Sequence, residues 1–574
     1  MNAGTDTGDG AETRLARPER GDELELTIDR LAHGGEGVAR YGDGGYVVFV
    51  SGAIPGDRVR AIVVKRKRSY AHARAIEIIE PSPERIPPTA PHPGVAWQVL
   101  PYERQLQIKA EQVDDALRRI GKLDGFELEE IVPALEQWRY RNKLEYSFGE
   151  STAESSAVDV SGGQGSEGDG GTLVCGFHAP GGWKRVEPIE DCLLASEVGN
   201  RARSVALRWA REQGLSAWAR AGRPVGGRRV EGARGGRDVK NLDSNDMSGT
   251  DGSLGVSGDG DIYGEHPIDV SGGDRSLGAS GEHHTPPRRV SHAERIAPAP
   301  DGRPYLRNLV VREGRRTGRL QVRLVTTDGE LDVPSLAAAL VAELGEQVLS
   351  GVLWTRSSAL AETTMGGETE LVWGEAELPE RLHIGTPGHH TDSGLDLRIS
   401  PEAFFQTNTE MAEVLYGVAR DYAALEGWER VYDLYCGTGT IALALAPRAG
   451  ELWGIEIVES AVADAIAAAK RNEISNARFF AGDARLALPE LIERAGRPDV
   501  VIVDPPRAGL SQKVVRRIID SSPKRIVYVS CNPTTLAPNA AQLVEAGYRL
   551  VKVRPVDMFP QTPHVECVAL LERA

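Results

Sequence analysis

The sequence predicts a multidomain protein: a small N-terminal OB-like β-barrel, a central α+β domain with low-complexity insertions, and a C-terminal doubly wound α/β domain whose last strand runs antiparallel. Three observations carry this reading. At 574 residues the chain exceeds a single hydrophobic core, since domains usually hold roughly 100–200 residues. Short β-type runs separated by Gly- and Pro-rich turns fill residues 22–80. From residue 400 onward, apolar strand-like runs alternate with helical segments, the pattern of a parallel sheet covered on both faces.

Taken in order, residues 1–21 lack apolar periodicity and read as a disordered tail. The barrel is expected from four or five strands, with runs at 24–28, 45–50, 58–64 and 71–78, and it carries the basic turn Lys65, Arg66, Lys67 and Arg68. Barrels of this kind often bind single-stranded nucleic acid on one face. The central domain, 81–399, opens with an amphipathic helix over 100–123 whose Leu106, Val113, Leu117 and Ile120 recur near the helical period. Two stretches, about 151–171 and 222–300, are rich in Gly, Ser, Asp and Arg and repeat Asp-Val-Ser-Gly-Gly at Asp159 and Asp269. They cannot bury much apolar area and read as surface insertions. Strands are expected at 173–177, 306–311 and 320–325. The His283–His284 pair has no partner ligand at useful spacing, so no metal is read there. The C-terminal domain, 400–574, has strand runs at 431–434, 452–456, 477–480, 500–504, 525–529 and 549–553. A last run, 565–571, follows too soon for a helical crossover and must pair antiparallel.

Bulk composition narrows the class. The net charge of −16 opposes a nucleic-acid partner if charge is spread evenly, but the basic turn and the cluster Arg139, Tyr140, Arg141, Asn142 and Lys143 concentrate the positive field. Five cysteines without a CxxC pair argue against disulfides and zinc. No apolar run of about 18 residues occurs, and the polar N-terminus is unlike a signal peptide. The expectation is a cytoplasmic protein with no membrane partner; no protein partner can be inferred.

The chemistry gathers at one sheet edge. In an open parallel sheet, ligands sit beyond the carboxyl ends of the strands, and Asp433, Glu456, Asp483, Asp504 and Cys531 all fall there. The turn from Tyr435 to Thr440 supplies small residues where backbone approaches a ligand, and Glu456, about 20 residues on, is placed to accept ribose hydroxyls. The glycine spacing is shorter than the dinucleotide fingerprint, which favours S-adenosylmethionine over NAD. Cys531 follows the fifth strand among turn residues and reads as a thiol nucleophile, with Arg507 available to stabilise its thiolate. Carbon 5 of uracil is a poor nucleophile until a thiolate adds at carbon 6. Once carbon 5 is methylated its proton must leave, and Glu566, at the start of the antiparallel strand, is the candidate base. Cys436 and Cys567 read as packing residues.

These motifs together resemble the RNA uracil-5-methyltransferases. The N-terminal part is similar to a TRAM domain, and Trp138 to Lys143 is similar to the family's tyrosine-arginine-asparagine-lysine stretch. Phe404-Phe405-Gln406-Thr407-Asn408, the turn from Asp433 to Thr440, Asp504-Pro505-Pro506-Arg507, Ser530-Cys531-Asn532-Pro533 and His564-Val565-Glu566 match its other signatures in order. The resemblance implies a Rossmann-like class I methyltransferase domain in which Gln406, Tyr435, Thr440, Glu456, Asp483 and Asp504 contact S-adenosylmethionine, Cys531 is the nucleophile and Glu566 the proton acceptor. Relatives often have asparagine where this chain has Thr440. Several ribosomal members hold an iron-sulfur cluster on four cysteines; here residues 88–102 contain none and only Cys192 stands near the fourth position, so no cluster is expected. The expected partner is RNA, with 23S ribosomal RNA favoured by the barrel over transfer RNA. Competing readings are an RNA cytosine-5-methyltransferase, which places its cysteines in motifs other than Asp504-Pro505-Pro506-Arg507 and Ser530-Cys531-Asn532-Pro533; an amino-group methyltransferase, opposed by Arg507 in place of an aromatic; and a non-catalytic RNA-binding protein that retains the fold, opposed by the intact Cys531 and Glu566.

Overall fold

The computed structural model describes residues 17–42, 45–151, 171–179, 185–218, 296, 299–360, 363–386, 389–390 and 394–574. Residues 1–16 of the tail, nearly all of both insertions, and His283 and His284 lie outside the described residues.

Six strands form the first sheet: β1 (Glu23–Thr27), β2 (Arg30–Leu31), β3 (Gly37–Tyr41), β4 (Tyr46–Ser51), β5 (Arg58–Arg66) and β6 (Tyr70–Glu80), in the order β1-β5-β6-β4-β3-β2. The sequence reading missed β2 and β3. Both are short, and β3 opens on Gly37, where an added Cβ would lie 2.8 Å from Ile28 Cγ2. Alternation does the rest, because Leu24, Leu26, Val48, Val50, Val59, Ala61 and Val63 point inward from successive strands.

A helix, α1 (Tyr102–Asp115), extends through a π-helical turn at Ala116–Ile120. The expected face is rotated. Val113 and Leu117 are buried, but Ile120 is 53% exposed, and the inward positions include Gln105 and Lys109. Hydrogen bonding compensates these buried polar groups. Lys109 Nζ is 2.6 Å from Asp557 Oδ1 and also donates to the Phe559 carbonyl, the Tyr102 hydroxyl donates to Asp557, and Gln105 bonds Gln561. Apolar periodicity cannot register a helix face whose partner is a polar loop 450 residues away.

The central sheet has seven strands: β8 (Lys143–Ser151), β9 (Thr172–His178), β10 (Val186–Pro188), β11 (Leu306–Gly314), β12 (Arg319–Thr326), β13 (Leu349–Arg356) and β14 (Glu368–Gly374), with β7 (Glu127–Leu128) given to the C-terminal sheet. One face packs on α2 (Glu197–Glu212) and α3 (Val333–Leu344). The pairs β15 (Leu378–Leu382) with β18 (Leu395–Ile399), and β16 (Gly385–Thr386) with β17 (His389–His390), lead into the last unit.

The C-terminal sheet runs β21-β20-β19-β22-β23-β25-β24-β7, from β19 (Arg430–Leu434), β20 (Glu451–Glu456), β21 (Ala477–Ala481), β22 (Val500–Val503), β23 (Arg525–Ser530), β24 (Tyr548–Val556) and β25 (Glu566–Arg573). Helices α4 (Thr409–Ala423), α5 (Thr440–Leu445), α6 (Glu459–Arg471), α7 (Ala484–Ala495), α8 (Gln512–Ser521) and α9 (Pro533–Glu545) flank it. The five strands β19 to β23 pair parallel, and β25 slots antiparallel between β23 and β24, as expected. Val500, Val501, Ile502 and Val503 are fully buried, each contributing about 1.5–3 kcal/mol. Among the described residues, no helix is long and apolar enough to cross a membrane.

Candidate active site

The cofactor turn is shaped by its backbone. Tyr435, Gly437 and Gly439 adopt φ of 67°, 53° and 77°. Only the glycines do so without strain, so Tyr435 is the one of the three that holds a side chain in the left-handed region at an energetic cost. A Cβ on Gly439 would lie 2.9 Å from Ala465 Cβ and from the Phe479 ring, which excludes larger residues. The turn is held to the next strand by the Tyr435 and Cys436 amides, both donating to the Ile455 carbonyl, and by the Gly437 amide donating to Glu456 Oε2 at 3.1 Å.

The strand-end acids differ in their surroundings. Both carboxylate oxygens of Asp433 are buried without a hydrogen-bond partner of good geometry, so burial and the charge of Asp504 push its acidity well toward the protonated form, with the Ala442 amide working the other way. Asp504 is pushed up to about 7 by burial. Glu456 keeps acceptor capacity beside its bonds from Gly437 and Val458. Asp483 caps α7 and pairs with Arg485, whose Nε lies 2.9 Å from it, and this bond holds its carboxyl below the usual range. Thr440 donates to the Tyr416 hydroxyl at 3.2 Å, so its side chain is turned to the helix α4 rather than left free. Gln406 is buried, and its carbonyl accepts from the Asn142 amide at 2.8 Å.

Cys531 is half-buried at the turn between β23 and the cap of α9, where Asn532 accepts from the Thr534 amide and donates to the Arg507 carbonyl. Burial, Glu566 and Asp504 push the thiol up to about 12, against Arg507, which favours the thiolate. The expected stabilisation by Arg507 is therefore present but outweighed. Glu566 is 4% exposed and held toward its protonated form by burial and by Asp504. Ser530 pairs with Cys567 across β23 and β25, so the next residues, Cys531 and Glu566, emerge from adjacent strands at the same edge. Cys436 and Cys567 are buried, in keeping with packing roles.

The basic stretch before β8 is mostly engaged with protein. Arg139 pairs with Asp191 at 2.7 Å, the Tyr140 hydroxyl donates to the Pro560 carbonyl, and Asn142 grips the loop at Gln406 and Thr409. Arg141 lies over the Phe559 ring. Tyr416, mid-helix in α4 and close enough to Asp504, Glu566 and Asp433 to feel their charge, carried no signal in the sequence, because only folding brings it there. Nor did the sequence distinguish Phe404, which is 71% exposed, from its buried neighbour Phe405. Cys192 Sγ lies 3.2 Å from His92 Nε2, and among the described residues no group of three or more His, Cys, Asp or Glu is arranged to hold a metal ion.

Fold and sheet edge define a Rossmann-like methyltransferase joined to a small N-terminal barrel. The tRNA (Uracil-5-)-methyltransferase family matches residues 389–574 and the TRAM domain matches residues 17–76. An uncharacterised RNA methyltransferase of Bacteroides thetaiotaomicron is 34% identical over 553 residues, covering 94% of this chain and 100% of the relative. One of Chlorobaculum tepidum is 33% identical over 579 residues, covering 98% and 99%. The crystal structure of Pyrococcus abyssi tRNA (uracil-54, C5)-methyltransferase in complex with S-adenosyl-L-homocysteine shares the fold, with a TM-score of 0.62, 23% identity, and coverage of 96% of this chain and 100% of that one. The chain belongs to the RNA uracil-5-methyltransferase family and carries a TRAM domain.

Proposed function

We propose that this protein methylates carbon 5 of a uridine in 23S ribosomal RNA through a covalent adduct, with Cys531 as nucleophile and Glu566 as base. The observation that carries this reading is the register of β23 and β25, which brings a cysteine and a glutamate from distant segments to one edge beside the glycine turn. Asp433, Tyr435, Glu456, Asp483 and Asp504 surround that turn, and the orphaned Asp433 oxygens and the Glu456 carboxylate fit a cationic nucleoside with ribose hydroxyls. Gln406 approaches from the loop before α4 and Thr440 from the first turn of α5, where its hydroxyl reaches Tyr416 of α4. S-adenosylmethionine, when bound, supplies an electrophilic methyl group and a positive charge.

The chain's own residues then do the following. Cys531, half-exposed, gives its proton to solvent and its sulfur bonds to carbon 6, and the electrons of the carbon 5–carbon 6 double bond shift into the ring as an enolate that makes carbon 5 nucleophilic. After carbon 5 gains the methyl group, Glu566 removes the remaining proton there, and the electron pair expels the Cys531 thiolate, restoring the ring.

RNA capture is supported on the barrel. Phe49, Tyr70 and His72 form a half-exposed aromatic cluster with ring centroids 5.4–5.6 Å apart, and the exposed Arg66, Lys67 and Arg68 crown the turn between β5 and β6. Stacking surfaces beside cations suit single-stranded RNA. A second reading, a transfer-RNA uridine, is favoured by the likeness to the Pyrococcus abyssi enzyme, whose structure matches 96% of this chain. Mapping 5-methyluridine in total RNA from cells lacking the protein tests both: loss at a 23S position supports the first, loss in transfer RNA the second, and no loss in any RNA overturns the function.

A further inference from the structure

The central sheet is two-faced. Leu144, Tyr146, Leu309, Val311, Val322 and Leu324 belong to the apolar core under α2 and α3. The alternate positions turn to the other face, and there β8 carries Lys143 and Glu145, β11 carries Arg312 and β12 carries Arg323. Register clusters them: Arg312 stands opposite Lys143, while Glu145 and Arg323 both stand opposite Val310.

This cluster has more cation than its own acids neutralise. Lys143 Nζ lies 2.5 Å from Glu145, whose other oxygen accepts from the Thr364 hydroxyl at 2.7 Å. Arg312 is 6% exposed and gives its terminal nitrogens to the Ser400 and Ala403 carbonyls at 3.0 and 2.6 Å. Arg323 is 2% exposed, and neither of its terminal nitrogens has a hydrogen-bond acceptor. Its nearest carboxylate, Glu402, stands 3.9 Å away with a side chain 44% exposed, and one Glu402 oxygen is taken by the Gly366 amide at 3.1 Å. Three cations thus face two diverted carboxylates. Burial and the neighbouring Arg323 push Arg312 down to about 10, so the two guanidinium groups repel one another. A guanidinium cannot escape by losing its proton at neutral pH, so an uncompensated one in a buried site calls for an anion.

Resting on the RNA reading above, we infer that Arg323, with Lys143 and Arg312, seats one backbone phosphate of the RNA substrate, and that Glu402 stands at the rim in its place while RNA is absent. The fork of Arg323 matches the two non-bridging oxygens of a phosphodiester. Glu402 is the movable member, being exposed and held to Arg323 only at long range. RNA is favoured over a free metabolite by position: the Ser400–Ala403 loop that Arg312 holds runs directly into Gln406, so a phosphate here lies along the path of a strand delivering its base to the catalytic edge.

The test compares the full-length wild type with Arg323→Gln and Glu402→Gln in binding a short fluorescent uridine-rich RNA across a series of salt concentrations, with methylation of 23S transcripts and transfer RNA by the wild type as control. Arg323→Gln should weaken binding about tenfold and lower the slope of log affinity against log salt by about one. Glu402→Gln, which removes a competing negative charge, should tighten binding several-fold. A folded Arg323→Gln protein with wild-type slope, or Glu402→Gln with no gain, overturns the assignment. If Arg323→Gln does not fold, Glu402→Gln, at an exposed position, and Lys143→Gln, at a partly buried one, decide. Inorganic phosphate that stabilises the wild type but not Arg323→Gln, without any change in RNA binding, assigns the pocket to a free anion and likewise overturns it. A wild type that methylates RNA while the variants bind like it leaves the function standing and sinks only the phosphate seat; a wild type that neither binds nor methylates RNA removes the function itself.

Discussion

Ser530 stands opposite Cys567 in the antiparallel pair of β23 and β25, with the Cys567 thiol 3.5 Å from the Ser530 carbonyl, so the chain leaves Ser530 as Cys531 beside the point where Glu566 enters. The two residues proposed to add to the ring and to deprotonate it are 35 positions apart and meet through one strand register. If Glu566 takes the carbon 5 proton, Glu566→Gln should accumulate a denaturation-resistant enzyme–RNA adduct, visible as a slow band on a denaturing gel. Cys531→Ala should form no adduct and lose activity by on the order of a thousandfold or more. Wild-type turnover by Cys531→Ala would remove the covalent mechanism.

Both proposed groups are held protonated in the free protein, the thiol pushed up to about 12 and the Glu566 carboxyl raised by burial and Asp504. The reactive forms are the thiolate and the carboxylate, so kcat/KM should rise with pH from about 6 to 9 rather than level off in acid. Arg507 is the cation that opposes the thiol's shift, so Arg507→Gln should displace the profile to higher pH, by about one unit. A pH–rate series under single-turnover conditions reads both effects.

Asp504 is pushed up to about 7 in the folded chain, against about 3.9 when unfolded. The folded state then binds this proton more tightly, so the stability it contributes is complete below about pH 4, falls as pH rises, and is gone above about pH 7. Asp504→Asn should stabilise the free protein at pH 8 by on the order of a few kcal/mol, with little change at pH 4, and should lower activity. Thermal unfolding at the two pH values measures it; equal stabilisation at both would contradict the assigned shift.

The ion pair between Lys109 and Asp557 has both side chains fully buried at 2.6 Å, and it fastens α1 to the loop that leads into Glu566. Removing one partner leaves a buried charge, so Lys109→Met should destabilise by about 3–5 kcal/mol, whereas Lys109→Met with Asp557→Leu should recover part of that loss. Denaturant unfolding of the single and double variants separates the two outcomes.

On the barrel, replacing Arg66, Lys67 and Arg68 together by alanine should lower the salt slope of RNA binding by up to about three, while Tyr70→Ala should weaken binding by about 1–3 kcal/mol without changing that slope. Titrations at several ionic strengths distinguish lost phosphate contacts from lost stacking.

Local patterns settled much of this protein. Period-2 runs such as Tyr46–Ser51 and buried runs such as Val500–Val503 announce their strands, because the pleat fixes which side chains share a face. The short gap before the last strand announced its antiparallel course, and the apolar runs announced that Asp433, Glu456, Asp504 and Cys531 lie at or just past the ends of β19, β20, β22 and β23. What sequence could not register were partners distant along the chain. The inward turn of Lys109 and Gln105 depends on a loop some 450 residues later, the Thr440 hydroxyl is claimed by Tyr416 from another helix, and Asn142 is spent on Gln406 rather than on solvent. Arg323, whose terminal nitrogens have no hydrogen-bond acceptor and whose carboxylate partner Glu402 stands 3.9 Å away, is of the same kind: in sequence it is one more arginine on a strand, and only its burial makes its charge matter. Hydrophobic patterning is a local average and survives in one dimension; the pairing of a polar group is decided by whichever distant atom the fold brings within about 3 Å.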